Sequence, residues 1–183
     1  TVTGTFNVVD YLNFDNALTS TVLGYQAGLS NVATRNTFLG YQAGFNTNDA
    51  SAAQNTFLGY QAGYSNTTGD SNIFIGSKAG YGNTVGEDGV VIGRDAVASG
   101  TTAHRSVFIG YKSGEQNTAT GSNTFVGAFT GLLNTSGESN TFIGDNAGNG
   151  NTTGSQNTYL GRYSGQNSTS SSQNTFVGYN AGK

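Results

Sequence analysis

The feature that most constrains this chain is a nine-residue unit, Asn55-Thr56-Phe57-Leu58-Gly59-Tyr60-Gln61-Ala62-Gly63, that returns at a fixed interval. The same unit stands at Asn36 to Gly44, and weaker copies recur to the last residue. Aligning every copy on the glycine that follows the aromatic-aliphatic pair gives Gly24, Gly40, Gly59, Gly76, Gly93, Gly110, Gly127, Gly144, Gly161 and Gly178. From Gly59 onward the interval is 17 residues, seven times in succession. A fixed period of this length with turn residues in every copy is the signature of a solenoid, each repeat making one coil.

The columns of this alignment define the coil. Two residues before the marker glycine stand Val22, Phe38, Phe57, Phe74, Val91, Phe108, Phe125, Phe142, Tyr159 and Phe176. One residue before it stand Leu23, Leu39, Leu58, Ile75, Ile92, Ile109, Val126, Ile143, Leu160 and Val177. Short β-branched and aromatic runs bounded by Gly and Asn read as strands, and the 29 glycines exclude helix. The expected fold is all-β, a parallel β-solenoid of about ten 17-residue coils. A second glycine four residues after the marker, and often a third about ten after it, mark corners where backbone must turn or approach closely. Asparagines recur before the strand and after the second corner, placed to bond to one another up the stack. At roughly 4.8 Å per coil the rod would be on the order of 50 Å long. The longest step, 19 residues from Gly40 to Gly59, predicts a two-residue bulge within 47–54.

Residues 20–183 form the repeat domain, whereas 1–19 do not fit the pattern and read either as a cap or degenerate first coil or as a join to an upstream domain. The chain starts at Thr1 without Met and stops within a repeat at Lys183, so it is expected to be part of something longer. Only 9% of residues are charged, and the 7 basic ones are scattered, which argues against nucleic acid as a partner. No apolar run approaches the roughly 20 residues that span a bilayer, so no direct membrane insertion is expected of this segment.

Adjacent strand side chains point to opposite faces, so the aromatic and aliphatic columns cannot share one lumen. Phe57, Phe74, Phe108, Phe125, Phe142 and Phe176 are therefore either lumen or oligomer interface. A thin coil favours an aliphatic lumen and a wide one a phenyl lumen. In both cases the other column is a continuous outward apolar stripe, larger than soluble monomers usually leave uncovered. Self-association is the expected consequence.

The coil Gly89-Val90-Val91-Ile92-Gly93-Arg94-Asp95-Ala96-Val97-Ala98-Ser99-Gly100, followed by Ser106-Val107-Phe108-Ile109-Gly110, resembles the head repeat of the YadA-like trimeric autotransporter adhesins. The Asn-Thr-Phe-Ile-Gly coils share the strand and its glycine but continue with Ala-Gly and a longer return, as in related bacterial and phage surface-fibre repeats. The resemblance spans about residues 20–183. It implies a left-handed β-roll, a homotrimer, and adhesion to host, prey or matrix surfaces from the cell surface or a virion tail fibre.

No catalytic group, cofactor or metal is expected. His104 is the only histidine and no motif gives it a nucleophile to activate. Asp70, Glu87, Asp88 and Glu138 fall near a corner but lack the glycine-rich calcium pattern of β-rolls, and read as solvated charges. Tyr25, Tyr41, Tyr60, Tyr64 and Tyr81 are the candidate ligand contacts, with Gln26, Gln42 and Gln61 alongside. Stacking between coils is their other use. Two threonine columns, Thr37 to Thr175 and Thr67 to Thr152, open an alternative function: ice or carbohydrate binding through Thr, Asn and Tyr ladders.

Overall fold

The structure, a computed structural model, describes residues 12–15 and 19–183. Residues 1–11 and 16–18, most of the segment read as a cap or a join, lie outside the described residues. Eleven short strands form a single sheet in chain order: β1 (Leu12–Asp15), β2 (Ser20–Leu23), β3 (Thr37–Leu39), β4 (Thr56–Leu58), β5 (Ile73–Ile75), β6 (Val90–Ile92), β7 (Val107–Ile109), β8 (Thr124–Val126), β9 (Thr141–Ile143), β10 (Thr158–Leu160) and β11 (Thr175–Val177). Strands β2 to β11 are parallel and in register, Phe57 facing Phe74 and Leu58 facing Ile75 across one step. The chain is thus an all-β solenoid, and no helix occurs among the described residues. β1 pairs antiparallel with β2 and covers the outer edge of the first coil.

Each strand is only three residues long after β2, because an Asn, or Gly89 and Ser106 in its place, precedes it and a glycine ends it. The rest of each coil is turn, yet its backbone groups still bond to the coils on either side. Gly63 N–H donates to Ala79 O at 3.0 Å, Thr67 N–H to Thr84 O at 2.9 Å, and Lys78 N–H to Tyr60 O at 2.8 Å. The stack is therefore hydrogen-bonded around its perimeter, which answers for backbone groups that turns would otherwise leave unpaired.

The two recurring glycine columns do different work. Gly59 has φ +139°, and a Cβ there would come within 2.5 Å of Gly76 O in the next coil. Its column permits coil-to-coil backbone approach. Gly63 has φ +60°, and a Cβ there would fall 2.5 Å from the Phe57 ring. That column makes room for the lumen.

The lumen belongs to the aromatic column. Phe38, Phe57, Phe74, Val91, Phe108, Phe125, Phe142 and Tyr159 are fully buried, with a column of small residues such as Ala43, Ala62 and Ala79 packed beside them. Rings stack coil on coil, as Phe57 on Phe74 at 4.9 Å and Phe125 on Phe142 at 4.8 Å. Val91 interrupts the pile, and on the far side of that break Phe108 meets Phe125 edge-on at 71°. The bulge expected in 47–54 is an exposed corner at residues 48–51, held where Ser51 N–H donates to Asp49 Oδ1 at 2.8 Å and Ala52 N–H to Asp49 O at 3.1 Å.

Candidate interaction faces

The strand geometry turns the residues on both sides of the lumen position outward, onto one face of the sheet. One outward column is Thr21, Thr37, Thr56, Ile73, Val90, Val107, Thr124, Thr141, Thr158 and Thr175, every member β-branched. The other is the aliphatic column from Leu23 to Val177, with Leu39, Leu58, Ile143 and Leu160 each about 40% exposed and Ile75, Ile92, Ile109 and Val126 half-buried. Neither column contains a charged residue. The face extends over nine strand spacings, about 43 Å at 4.8 Å each. Of the two roles left open for Phe57, Phe74, Phe108, Phe125 and Phe142, interface is excluded because the rings are enclosed. Phe176, in the last coil, is partly buried against the same core. The continuous outward stripe is the aliphatic one.

The two threonine columns differ chemically. Thr67, Thr118, Thr135 and Thr152 use their hydroxyls as donors to the carbonyl of the matching residue in the next coil, at 3.0, 2.8, 3.0 and 2.9 Å. Those hydroxyls hold the stack together. On the strand face, the hydroxyls of Thr37, Thr56, Thr124, Thr141, Thr158 and Thr175 make no hydrogen bond within the described residues and are left to solvent.

The tyrosine candidates form two ladders. Tyr25, Tyr41 and Tyr60 are exposed and stack at 5.5 and 5.3 Å, while Phe45, Tyr64 and Tyr81 stack at 5.0 and 5.1 Å and are half-buried. Beside the first ladder Gln42 Nε2 donates to Gln26 Oε1 and Gln61 Nε2 to Gln42 Oε1, both at 2.8 Å. Near-parallel stacking directs the ring faces at one another, so Tyr41 and Tyr64, flanked on both sides, present edges to solvent. A sugar ring packing flat on an aromatic face has no room there. In the later coils the column carries charge: Arg94 lies over the Tyr111 ring at 4.4 Å, and Arg162 bonds Asp145 at 3.1 Å. The hydrogen bond that Arg162 donates to Asp145 raises its pKa, fixing its charge on an exposed corner.

The lumen asparagines act in a way that column-reading missed. Asn55 Oδ1 accepts from Asn72 N–H at 2.9 Å, while its Nδ2 donates to Ala52 O and Gly69 O, both at 2.9 Å. The side chain thus ties strand to corner and coil to coil through backbone groups. The second column does form the expected amide ladder, Asn134 Nδ2 donating to Asn117 Oδ1 at 2.8 Å and Asn151 Nδ2 to Asn134 Oδ1 at 2.7 Å. Non-glycine residues with left-handed backbone were also missed. The column that includes Gln42, Gln61, Lys78 and Lys112 has φ of 53 to 59° throughout. Only its immediate place between glycines could have signalled this.

His104 lies on a corner, where its carbonyl accepts from Ser106 Oγ at 2.8 Å. Among the described residues no three His, Cys, Asp or Glu side chains gather to hold a metal, and no helix is long and apolar enough to cross a membrane. Asp88 pairs loosely with Arg105 at 3.9 Å, and Glu138 accepts from Thr120 Oγ1 at 3.2 Å. No family model, curated protein or solved structure matches this chain.

Proposed function

We propose that this chain is a structural and adhesive repeat of an extracellular surface fibre, not an enzyme, and that its rods associate with copies of themselves through the outer strand face. The observation that carries this reading is the charge-free face on which ten aliphatic rows stand in register with ten β-branched ones. Water-exposed apolar surface of this continuity is stabilised by covering it, at about 25 cal/mol per Å² removed from water. The resemblance to trimeric adhesin heads favours three chains and a role on host, prey or matrix surfaces. The exposed tyrosine combs and charged corners are then left on the assembly's outside.

The test is the solution mass of the rod. Replacing Leu58 and Ile143 with Asp puts two charges on the face without touching the lumen, so chains should separate while circular dichroism is unchanged. A folded wild-type monomer in light scattering at micromolar concentration would sink the proposal.

A second reading rests on the six unbonded threonine hydroxyls, which share that flat, charge-free face with the aliphatic column. Such an array can order water in a lattice, making the face an ice-binding plane. In that case the rod stays monomeric, produces thermal hysteresis, and loses it in Thr141→Lys.

A further inference from the structure

Four asparagines begin an Asn-x-Ser/Thr tripeptide: Asn66-Thr67-Thr68, Asn134-Thr135-Ser136, Asn151-Thr152-Thr153 and Asn167-Ser168-Thr169. This tripeptide is the acceptor for asparagine-linked glycans, and in glycosylated proteins it stands on the surface. Here three of the four asparagines are fully buried. The atom that would take the sugar is Nδ2, and in each it is already a donor inside the rod. Asn66 Nδ2 bonds Gly69 O at 2.9 Å, Asn134 Nδ2 bonds Asn117 Oδ1 and Gly137 O at 2.8 and 2.9 Å, and Asn151 Nδ2 bonds Asn134 Oδ1 and Gly154 O at 2.7 and 3.0 Å. There is no free space beside them: a single methyl on Gly69 would fall within 2.5 Å of Asn66 Oδ1. Asn167 differs, being exposed and making no side-chain hydrogen bond among the described residues.

Glycan transfer joins Nδ2 to the anomeric carbon of an oligosaccharide, releases the lipid diphosphate that carried it, and removes one amide proton. Because the three buried nitrogens are enclosed once the coils close, this reaction can reach them only on the unfolded chain. A glycan there would then prevent the coil from closing, since neither the sugar nor the lost donor can be accommodated in the amide ladder. Modification that occurs only on the unfolded chain withdraws it from folding.

We propose that asparagine-linked glycosylation and the folding of this rod are mutually exclusive at Asn66, Asn134 and Asn151, that Asn167 is the one acceptor the folded rod tolerates, and that the chain matures along a route lacking this modification. The inference does not depend on which face adheres. Under the extracellular reading it restricts how the fibre is exported.

The experiment directs the chain through the glycosylating secretory pathway of cultured eukaryotic cells and compares it with the triple variant Thr68→Ala, Ser136→Ala, Thr153→Ala. These changes destroy the three buried acceptors and leave every asparagine in place. The wild type should be retained, protease-sensitive and glycosylated at several sites, and an inhibitor of glycan transfer should release it folded. The triple variant should be secreted as a protease-resistant rod with one glycan, on Asn167. A secreted, folded wild type, whether those three sites are occupied or empty, overturns the proposal. So does a triple variant that is retained although the same variant made in bacteria folds.

Discussion

At the scale of single residues, the divergent coil shows how lumen volume is conserved by compensation. Where the other central coils place a phenyl ring in the lumen, this one has Val91, and the glycine that elsewhere lies against the ring is replaced by Val97. Val97 is fully buried although its φ is 49°, a left-handed conformation that costs a β-branched residue on the order of 1–2 kcal/mol. Gly100 occupies the place of an asparagine, and a Cβ on it would fall 2.8 Å from Val97 Cγ1. These three exchanges form one unit: a smaller lumen residue, a larger corner residue, and space behind it. Val91→Phe alone should therefore overpack the coil and cost about 1–3 kcal/mol, whereas Val91→Phe with Val97→Gly should recover that loss and exceed wild type by relieving the backbone. Denaturation midpoints of the four members of this cycle test it, and additive effects would count against the coupling. Tyr159 offers a second case. Its ring fits the phenyl stack, but its hydroxyl is buried without a hydrogen bond, and burial pushes its pKa above the ordinary 10.0, an effect only partly opposed by neighbouring Ser168 and Asn174. The fold therefore favours the neutral phenol. That contribution is intact below pH 10.0 and declines as pH rises through the raised folded value, because the unfolded chain ionises first. Tyr159→Phe should flatten this alkaline loss and add up to about 1–3 kcal/mol at neutral pH by removing an unsatisfied donor. An unchanged alkaline melting profile would place the loss elsewhere.

At the scale of the coil, three-residue strands are too short to specify register alone, and the asparagines supply what the strands lack. Each lumen Asn fixes the N-terminal end of the next strand, as Asn123 does by accepting from Asn140 N–H at 2.9 Å, while its amide reaches forward to a corner carbonyl, Gly137 O, at 2.9 Å. Ser20 and Ser106 stand in for Asn in two coils, their Oγ atoms accepting from Asn36 N–H and Asn123 N–H at 3.1 Å, whereas Gly89 has no side chain to do so. Asn55→Ala would leave the buried Asn72 N–H without a partner, at about 1–3 kcal/mol, while Ala52 O and Gly69 O each lose one donor but keep Asn36 Nδ2 and Asn66 Nδ2. Its denaturation midpoint should fall accordingly, and exposed Asn167→Ala should shift by no more than about 0.5 kcal/mol. This division of labour also explains which parts of the coil were legible beforehand. The period, the strand, the two columns and the corner glycines are all one-dimensional regularities, so they could be read from Gly24 to Gly178 without coordinates. The choice of Phe57 over Leu58 for the lumen depends on coil width, which is set by how the turns fold. Turn geometry rests in part on left-handed residues such as Gln61 and Lys78, whose side chains do not advertise that conformation. The roles of the threonines were hidden for a related reason. Thr67 and Thr56 look alike in sequence, but one hydroxyl meets a carbonyl in the neighbouring coil and the other meets solvent.

At the scale of the whole molecule, charge and apolar surface are segregated around the perimeter. Arg94, Asp145 and Arg162 stand on the column after the marker glycine, Lys112 pairs with Glu115 at 3.2 Å on the following corner, and Asp88 and Arg105 are on the return. The outer strand face between these corners has none. A contact made there would bury aliphatic and β-branched groups alone, each leucine or isoleucine contributing a fraction of the roughly 1.5–3 kcal/mol for full burial, in proportion to its exposed share. Such a contact has a distinct dependence on conditions. Screening cannot weaken it, because no pair of charges crosses it, and excluded salts such as sulfate strengthen apolar burial. It should also show a negative heat-capacity change on association. The expected outcome is a dissociation constant that stays constant or tightens as salt is raised from about 0.05 M to about 1 M, a range in which the screening length falls severalfold. Contacts through Arg162, Asp145 or Lys112 predict the opposite, a weakening across the same range that is removed by neutralising those residues. Sedimentation equilibrium at a series of salt concentrations distinguishes the two faces without any substitution. If association weakens tenfold or more, the charged corners and not the strand face hold the rods together.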